Sequence, residues 1–250
     1  MKKTKALILS LLLLTGIGAQ AKDYNASLFG IKSNGTTLNT TAIQKAIDYI
    51  HENGGGRLVF YVGRYLTGSI ELKSNVTIQL NEGAVLLGST NPYDYRKIDG
   101  TWLGLILANG AENIGVVGRG VVDGQGRETA YNYADQIQKG IINDNLNYDR
   151  AANRPTLIYL RECKNVEINN VTWKNSAFWV QIYDQCQNLN IDKITVWDSM
   201  NGEGGSPTTA NFLSGMMKSI RCEIDQLVLR CNGRCNLPQI TRSQKHLPEC

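Results

Sequence analysis

The segment CKNVEINNVTWKNS, residues 163–176, recurs 23 residues later as CQNLNIDKITVWDS, residues 186–199. Apolar, Asn, Thr and Ser positions keep the same order in the two copies. A period of about 23 residues, with short runs rich in β-branched side chains, is typical of one coil of a parallel β-helix. The repeat therefore predicts an all-β solenoid of the parallel β-helix class.

Stacking of equivalent positions follows from this architecture, because one coil cannot bury its apolar side chains alone. We expect Val166, Ile168 and Val171 to form a continuous core with their counterparts one period later. Asn165 and Asn188 occupy the same repeat position, so we expect their side chains to form an amide ladder at a turn. That ladder is predicted to be structural and not to bind a ligand.

Weaker copies of the repeat occur around Asn75 and Asn113. The spacings from 75 to 113 and from 113 to 165 are not multiples of 23, so loops must be inserted between strands of the earlier coils. In solenoids such insertions fall on one face and often build the binding site. One of them, at 127–155, has no strand pattern and is rich in Tyr, Asn, Asp and Gln, which predicts a long excursion from the solenoid.

The amino terminus carries a basic start, an apolar run at 6–14 and the tripeptide Ala19-Gln20-Ala21. This pattern predicts a cleaved signal peptide at 1–21 and a protein that is secreted or periplasmic. No apolar run is long enough to predict a membrane span. Three lysines lie in the signal, so the formal charge of +4 falls to 4 − 3 = +1, which gives no support for nucleic-acid binding.

A short amphipathic helix is predicted at the start of the mature chain. Thr41 and Gln44 have capping-box spacing, and helical periodicity continues to Ile50, ahead of the glycines at 54–56. We expect this helix to cap the open end of the solenoid. His51, at the end of the helix, is predicted to be a surface or capping residue.

Cysteine spacing does not predict a metal centre. Cys163 and Cys186 are equivalent repeat positions, which favours stacked, buried, free thiols over a disulfide. The other four cysteines lie within the last 29 residues, and their spacing does not match a zinc site, so we expect no metal and no cofactor. The disulfide pairing of these four stays open: Cys222, Cys231, Cys235 and Cys250.

Several motifs together resemble the pectin-cleaving polygalacturonases of glycoside hydrolase family 28. They include NTTAIQKAID (39–48), GGGRLVF (54–60), GRYLTGSI (63–70), GAVLLGS (83–89), VDGQG (122–126) and NSAFW (175–179). The resemblance covers roughly residues 24–199. It implies a right-handed parallel β-helix, a pectic polysaccharide as substrate, and inverting hydrolysis by one protonated and one ionised carboxyl group about 6.5 to 9.5 Å apart.

The chain departs from this pattern after Met200, where the catalytic aspartates are due. Asn201-Gly202-Glu203-Gly204 resembles the family's Asn-x-Asp-Gly phrase with Glu in place of Asp, which makes Glu203 the candidate catalytic residue. The extra methylene moves the proton donor by roughly an ångström, a shift that can cost about a hundredfold in rate. No Asp-Asp, Gly-His-Gly or Arg-x-Lys phrase follows. We therefore expect one domain at 22–199 and a diverged or out-of-frame tail at 200–250, with room for one further coil.

Three functions remain open at this point: a glycosidase of the polygalacturonase type, a non-catalytic truncated β-helix remnant or pectin-binding protein, and a calcium-dependent pectate lyase. Trp179 and Tyr183 are the candidate substrate-binding residues, since their rings either stack on sugars or fill gaps. Trp173 occupies a core-like repeat position and is predicted to be packing. The acids Asp94, Asp99 and Asp123 are too scattered to predict a calcium site. We expect a monomer.

Overall fold

The protein is a right-handed parallel β-helix, as the repeat and the resemblance predict. The computed structural model describes residues 21–98, 100, 102–141 and 154–197, and the backbone alone of 220–221 and 227–230. Within these residues each full coil contributes one strand to each of three sheets. Every strand pair is parallel in the described part, except that β7 (Arg96–Lys97) runs antiparallel to its neighbour in the third sheet.

Strands are numbered β1 to β18 in chain order. The first sheet contains β1 (Asp23–Asn25), β2 (Gly56–Phe60), β5 (Val76–Leu80), β9 (Glu112–Val117), β12 (Lys164–Asn169), β15 (Gln187–Asp192) and β18 (Leu227–Arg230). The second sheet contains β3 (Gly63–Thr67), β6 (Ala84–Gly88), β10 (Val121–Asp123), β13 (Thr172–Lys174) and β16 (Thr195–Trp197). The third sheet contains β4 (Ile70–Glu71), β8 (Leu103–Asn109), β11 (Thr156–Arg161), β14 (Gln181–Asp184) and β17 (Ile220–Arg221).

The 23-residue repeat corresponds to one coil. Lys164 pairs with Gln187 in the first sheet and Thr172 with Thr195 in the second. In the third sheet Ile158 pairs with Gln181. Because all three sheets keep the same offset, equivalent side chains lie directly above one another, and the predicted stacking is confirmed.

The core runs along the solenoid axis as columns of apolar side chains. One column joins Leu58, Ile78, Val116, Ile168 and Ile191, each no more than 1% exposed. Burying a side chain of this size stabilises the fold by about 1.5–3 kcal/mol relative to leaving it in water. A coil gains this stabilisation only when its neighbour is present, so the columns hold successive coils together.

Four asparagines form a ladder where the chain turns into the first-sheet strands: Asn75 directly precedes β5, and the other three are the second residues of β9, β12 and β15. Asn188 Nδ2 donates to Asn165 Oδ1 at 2.9 Å, Asn165 Nδ2 to Asn113 Oδ1 at 2.9 Å, and Asn113 Nδ2 to Asn75 Oδ1 at 2.8 Å. All four residues have positive φ angles, between 54° and 66°. Asn tolerates this left-handed conformation better than other residues with a Cβ. The same residue type therefore supplies the ladder hydrogen bonds and accommodates the positive φ angle.

Cys163 and Cys186 are both fully buried and neither forms a disulfide, as predicted. The Cys163 thiol donates to the Arg161 carbonyl at 3.2 Å. A hydrogen bond from the Cys186 thiol lowers the pKa of Cys163, and burial acts in the opposite direction. The pair packs as small apolar side chains between consecutive coils.

Helix α1 (Thr40–Glu52) caps the amino-terminal end of the solenoid. Its buried face consists of Ile43, Ala46, Ile47 and Ile50, all 0% exposed. The predicted cap is present, and His51 is an exposed residue whose Nδ1 lies 2.8 Å from the Ser74 carbonyl oxygen.

The predicted capping box at the start of α1 is wrong. The helix begins at Thr40 after Asn39, and Asn39 makes no side-chain capping bond. Gln44 instead binds the backbone of Glu71, which lies in the first strand of the third sheet. Its Nε2 donates to the Glu71 carbonyl at 3.0 Å and its Oε1 accepts from the Glu71 amide at 2.8 Å. The amide side chain thus satisfies the two groups that a neighbouring strand would pair.

A second helix, α2 (Gly126–Gln138), which the sequence analysis did not predict, lies largely in the excursion at 127–155 that has no strand pattern. Its polar face has Asn132–Gln136 and Asp135–Lys139 pairs four residues apart. The periodicity missed it because only Gly126, Thr129 and Tyr133 of the helix are buried. Neither described helix is long and apolar enough to cross a membrane.

Two predictions fall mainly or wholly outside the described residues. The signal peptide at 1–21 does so apart from residue 21, and Glu203 does so entirely. Of the tail at 200–250, only the backbone of β17 and β18 is described, pairing in parallel with β14 and β15. The division of the chain at residue 199 stays a prediction.

Glu71 links the insertion at 89–102 to the third sheet. Its carboxylate accepts from Lys73 Nζ at 2.5 Å and from Arg96 Nη2 at 2.9 Å. Burial raises the pKa of Glu71, but the hydrogen bonds and charges of Lys73 and Arg96 outweigh burial and hold the pKa below its ordinary value. The ionised carboxylate therefore stabilises the fold.

We expect Asn165→Ala to lower the free energy of unfolding by about 2 kcal/mol, because it removes two ladder hydrogen bonds and places a Cβ residue without an amide at positive φ. Asn165→Gly keeps the backbone conformation and should cost only about 1 kcal/mol. Urea unfolding measures both. Equal stability of the alanine variant and the wild type would contradict a structural ladder.

We expect Glu71→Gln to destabilise the protein by about 1 kcal/mol at pH 7, since it removes two ion pairs. A lowered folded-state pKa means that this stabilisation is complete above the unfolded value of about 4.3 and is lost as pH falls through the folded value. The stability difference should therefore shrink below about pH 4, measured by thermal unfolding. Glu112→Gln, which removes an exposed ion pair with Lys164, is the control. An undiminished difference at pH 2.5 would count against the assignment.

Candidate functional site

The long insertions all lie at one corner of the solenoid, where the chain passes from the second sheet to the third. The connections there span 89–102, 124–155 and 175–180, whereas the other two corners of the same coils use turns of two or three residues. The predicted clustering of insertions on one side is therefore confirmed for the described coils. We call this edge the insertion corner.

The motif at 122–126 anchors the insertion corner. Asp123 is buried, and its Oδ1 accepts from Asn175 Nδ2 at 2.9 Å while its Oδ2 lies 3.3 Å from Lys174 Nζ. Gln125 Nε2 donates to the Gly88 carbonyl at 2.6 Å. A Cβ at Gly126 would lie 2.3 Å from the backbone of Ser176, so only glycine fits there. These residues join three coils, and their role is structural.

An aromatic shelf, formed by Trp102, Phe178 and Trp179, lies beside the anchor. The ring centroids of Trp102 and Phe178 are 5.4 Å apart, and those of Phe178 and Trp179 are 5.2 Å apart. All three side chains are partly exposed. Trp102 comes from the first long insertion and the other two from the connection at 175–180, so two different coils build the shelf.

The shelf rests on the outer face of the third sheet. Leu107, Tyr159 and Ile182 form a small apolar cluster there, separate from the main core, and Trp102 and Trp179 pack against it. The cluster fixes the two indoles from below. Partly exposed rings on a rigid base suit stacking against the apolar face of a sugar, because little conformational entropy is lost on binding.

The two predicted substrate-binding residues lie on opposite sides of this sheet. Trp179 is part of the shelf, and its role in substrate binding stays a prediction. Tyr183 is 1% exposed and belongs to the main core, so its ring does not reach the surface and fills space instead. Trp173 is fully buried, as predicted for a packing residue. Sequence reasoning missed Trp102 and Phe178. The signal that could have identified them is that both are aromatic residues within the connections at 89–102 and 175–180.

Charged side chains continue the outer face beyond the apolar cluster. Arg161 Nε lies 3.3 Å from Glu162 and 3.7 Å from Asp184. Glu71 is paired with Arg96, and Asp123 with Lys174. The carboxylates named here are therefore held in ion pairs with neighbouring cations.

No group of three or more His, Cys, Asp or Glu side chains that could hold a metal ion occurs among the described residues. Asp94, one of the scattered acids, accepts a hydrogen bond from the Ser89 hydroxyl. Asp99 lies outside the described part of the chain.

Comparison with known proteins agrees with the fold and the motifs. The profile of "Glycosyl hydrolases family 28" matches residues 59–226. An exo-poly-α-D-galacturonosidase of Dickeya chrysanthemi is 30% identical over 230 aligned residues, which cover 75% of this chain and 38% of that protein. The chain thus spans about two fifths of the length of the curated relatives it matches.

Two solved structures resemble the chain closely enough in sequence to compare. A candidate glycosyl hydrolase from Parabacteroides merdae is 37% identical with a TM-score of 0.68, over 84% of this chain and 95% of that one. A family 28 exopolygalacturonase from Yersinia enterocolitica is 27% identical with a TM-score of 0.60, over 72% of this chain and 39% of that one. The profile match, the galacturonosidase relative and the shared β-helix lead to one conclusion: the chain belongs to glycoside hydrolase family 28.

Proposed function

We propose that this protein acts on pectic, galacturonan-like polysaccharide as a glycosidase of the polygalacturonase type. The observation that carries the proposal is the family match over residues 59–226, together with relatives named for galacturonan hydrolysis. The surface at the insertion corner supports it, because an aromatic shelf on a rigid apolar base suits a sugar polymer.

Inverting hydrolysis requires a protonated carboxyl group to donate to the leaving oxygen and a carboxylate to activate water on the opposite face of the sugar. We assign the acid to Glu203, in the segment that links β16 to β17. In the preceding coils the corresponding link carries the insertions of the insertion corner, which supports the assignment. The described carboxylates near the face are held in ion pairs and suit structural roles.

A second candidate function is binding of pectin without hydrolysis. The aromatic shelf supports it, since stacking of rings on a sugar does not depend on catalytic carboxylates. In both cases we propose a monomer without a cofactor. The signal-like residues 1–21 support export to the periplasm or the medium, where pectic polymers are encountered.

Incubation of the protein with polygalacturonate should raise the concentration of reducing ends without the ultraviolet absorbance of an unsaturated product. Glu203→Gln should lower that rate at least a hundredfold, because the amide cannot donate the proton. Glu167→Gln, an exposed residue of β12 on the first sheet, is the matched control and should leave the rate unchanged. An unsaturated product would indicate a lyase, and binding without any product would favour the second candidate.

Removing the indole of Trp179 should weaken binding of galacturonan oligomers about tenfold, since the stacking of a sugar on an aromatic ring contributes on the order of 1 kcal/mol or more. Trp197, which is 47% exposed on the second sheet, offers the comparison: Trp197→Ala should bind as the wild type does. Affinity electrophoresis in polygalacturonate gels reports both. Equal retardation of the Trp179→Ala variant and the wild type would remove Trp179 from the site.

A further inference from the structure

Arg154 lies beside the aromatic shelf, and within the described part of the chain it pairs with no acidic side chain. Its guanidinium carbon is 5.9 Å from the centroid of the Phe178 ring. Its Nε is buried and makes no hydrogen bond in the described part of the chain. A buried donor without a partner is costly, so such a group needs an explanation.

Its neighbours show what is unusual about Arg154. Arg96 and Arg161 also lie at the third sheet, and each is within 4 Å of a carboxylate of this chain. Their charge is compensated inside the molecule. Arg154 differs because no ion pair or hydrogen bond joins it to any described residue, so its fork of donors remains available to a ligand.

The contact with Phe178 holds the guanidinium at the shelf. Cation–π contact on a partly buried ring limits the conformations of the long side chain, so little entropy remains to be lost when a ligand binds. The rings of Trp102 and Trp179 flank Phe178. The arrangement therefore presents an apolar platform with one cation at its side that no described carboxylate compensates.

We propose that Arg154 and the aromatic shelf form a subsite for one carboxylated sugar unit, in which the rings stack on the sugar and Arg154 binds its carboxylate. A guanidinium pairs with a carboxylate through two parallel N–H···O bonds, a geometry that neutral sugars cannot reproduce. This inference rests on the proposed function and names its selectivity: Arg154 is the residue that discriminates uronate from neutral sugar.

The test compares two ligands that differ only at the relevant group: a galacturonate oligomer, and the same oligomer with its carboxyl groups reduced to hydroxymethyl groups. Binding to the full chain is measured by calorimetry at fixed salt. The wild type should prefer the acidic oligomer. Arg154→Gln should bind the acidic oligomer about ten- to a hundredfold more weakly and the reduced oligomer as the wild type does. Arg154→Lys, which keeps the charge but not the fork, should lie between them.

Arg127→Gln is the matched control. Arg127 also stacks on an aromatic ring, with its guanidinium carbon 5.5 Å from the Tyr131 centroid, but it lies on helix α2. The Arg127→Gln variant should bind the acidic and the reduced oligomer with the affinities of the wild type. This result separates the local role of Arg154 from the loss of one positive charge. Thermal unfolding checks that each variant is folded.

The outcomes separate this inference from the proposed function. If the wild type binds both oligomers equally, or if Arg154→Gln keeps the preference for the acidic oligomer, the uronate subsite is overturned while polysaccharide binding stands. If the wild type binds neither oligomer, the proposed function and the subsite fail together. Loss of both ligands by a folded Arg154→Gln variant would also overturn the discriminating role.

Discussion

The constraint on which the structure depends is the register between consecutive coils. In the described coils, inward side chains are buried by the equivalent residues of the next coil, and the strands find their hydrogen-bond partners there as well. Neither side-chain burial nor strand pairing can be satisfied within one coil, so both requirements select the same repeat length. From β5 to β16 two corners consequently keep turns of two or three residues, and the long insertions lie at the third.

This confinement explains why the candidate site lies where it does. The insertion corner is the one place where a coil gains residues without shifting the columns of the core. Side chains from successive insertions meet there, as Trp102 does with Phe178. The side chains at the surface differ from coil to coil while the scaffold below them stays regular. The hydrogen bond of Asp123 with Asn175 and the close approach of Gly126 to Ser176 keep the coils in register beneath the insertions.

The fold was predictable because its signals are periodic. The 23-residue repeat identified the coil, the spacing of 38 and 52 residues located the insertions, and Asn165 indicated the ladder. Contacts between distant segments were not predictable. Gln44 was assigned to the cap of its own helix because that interaction is local, whereas its real partner, Glu71, is 27 residues away. Tyr183 and Trp179 looked alike in the sequence, and only the alternation of the strand after residue 180 separates core from surface. Arg154 carried no sequence signal, since its proposed role is inferred from its contact with Phe178 and from the lack of a partner among the residues that the structure describes.

The bond between Gln44 and Glu71 has a consequence for behaviour at high concentration. Parallel strands left open at the end of a solenoid are a template on which a second molecule can add its own strands, and repeated addition gives fibres. The side-chain amide of Gln44 hydrogen-bonds the backbone carbonyl and amide of Glu71, in the first strand of the third sheet, so these groups are not available to pair with a strand of a second molecule. The amino-terminal cap is therefore as much a barrier to polymerisation as a lid on the core.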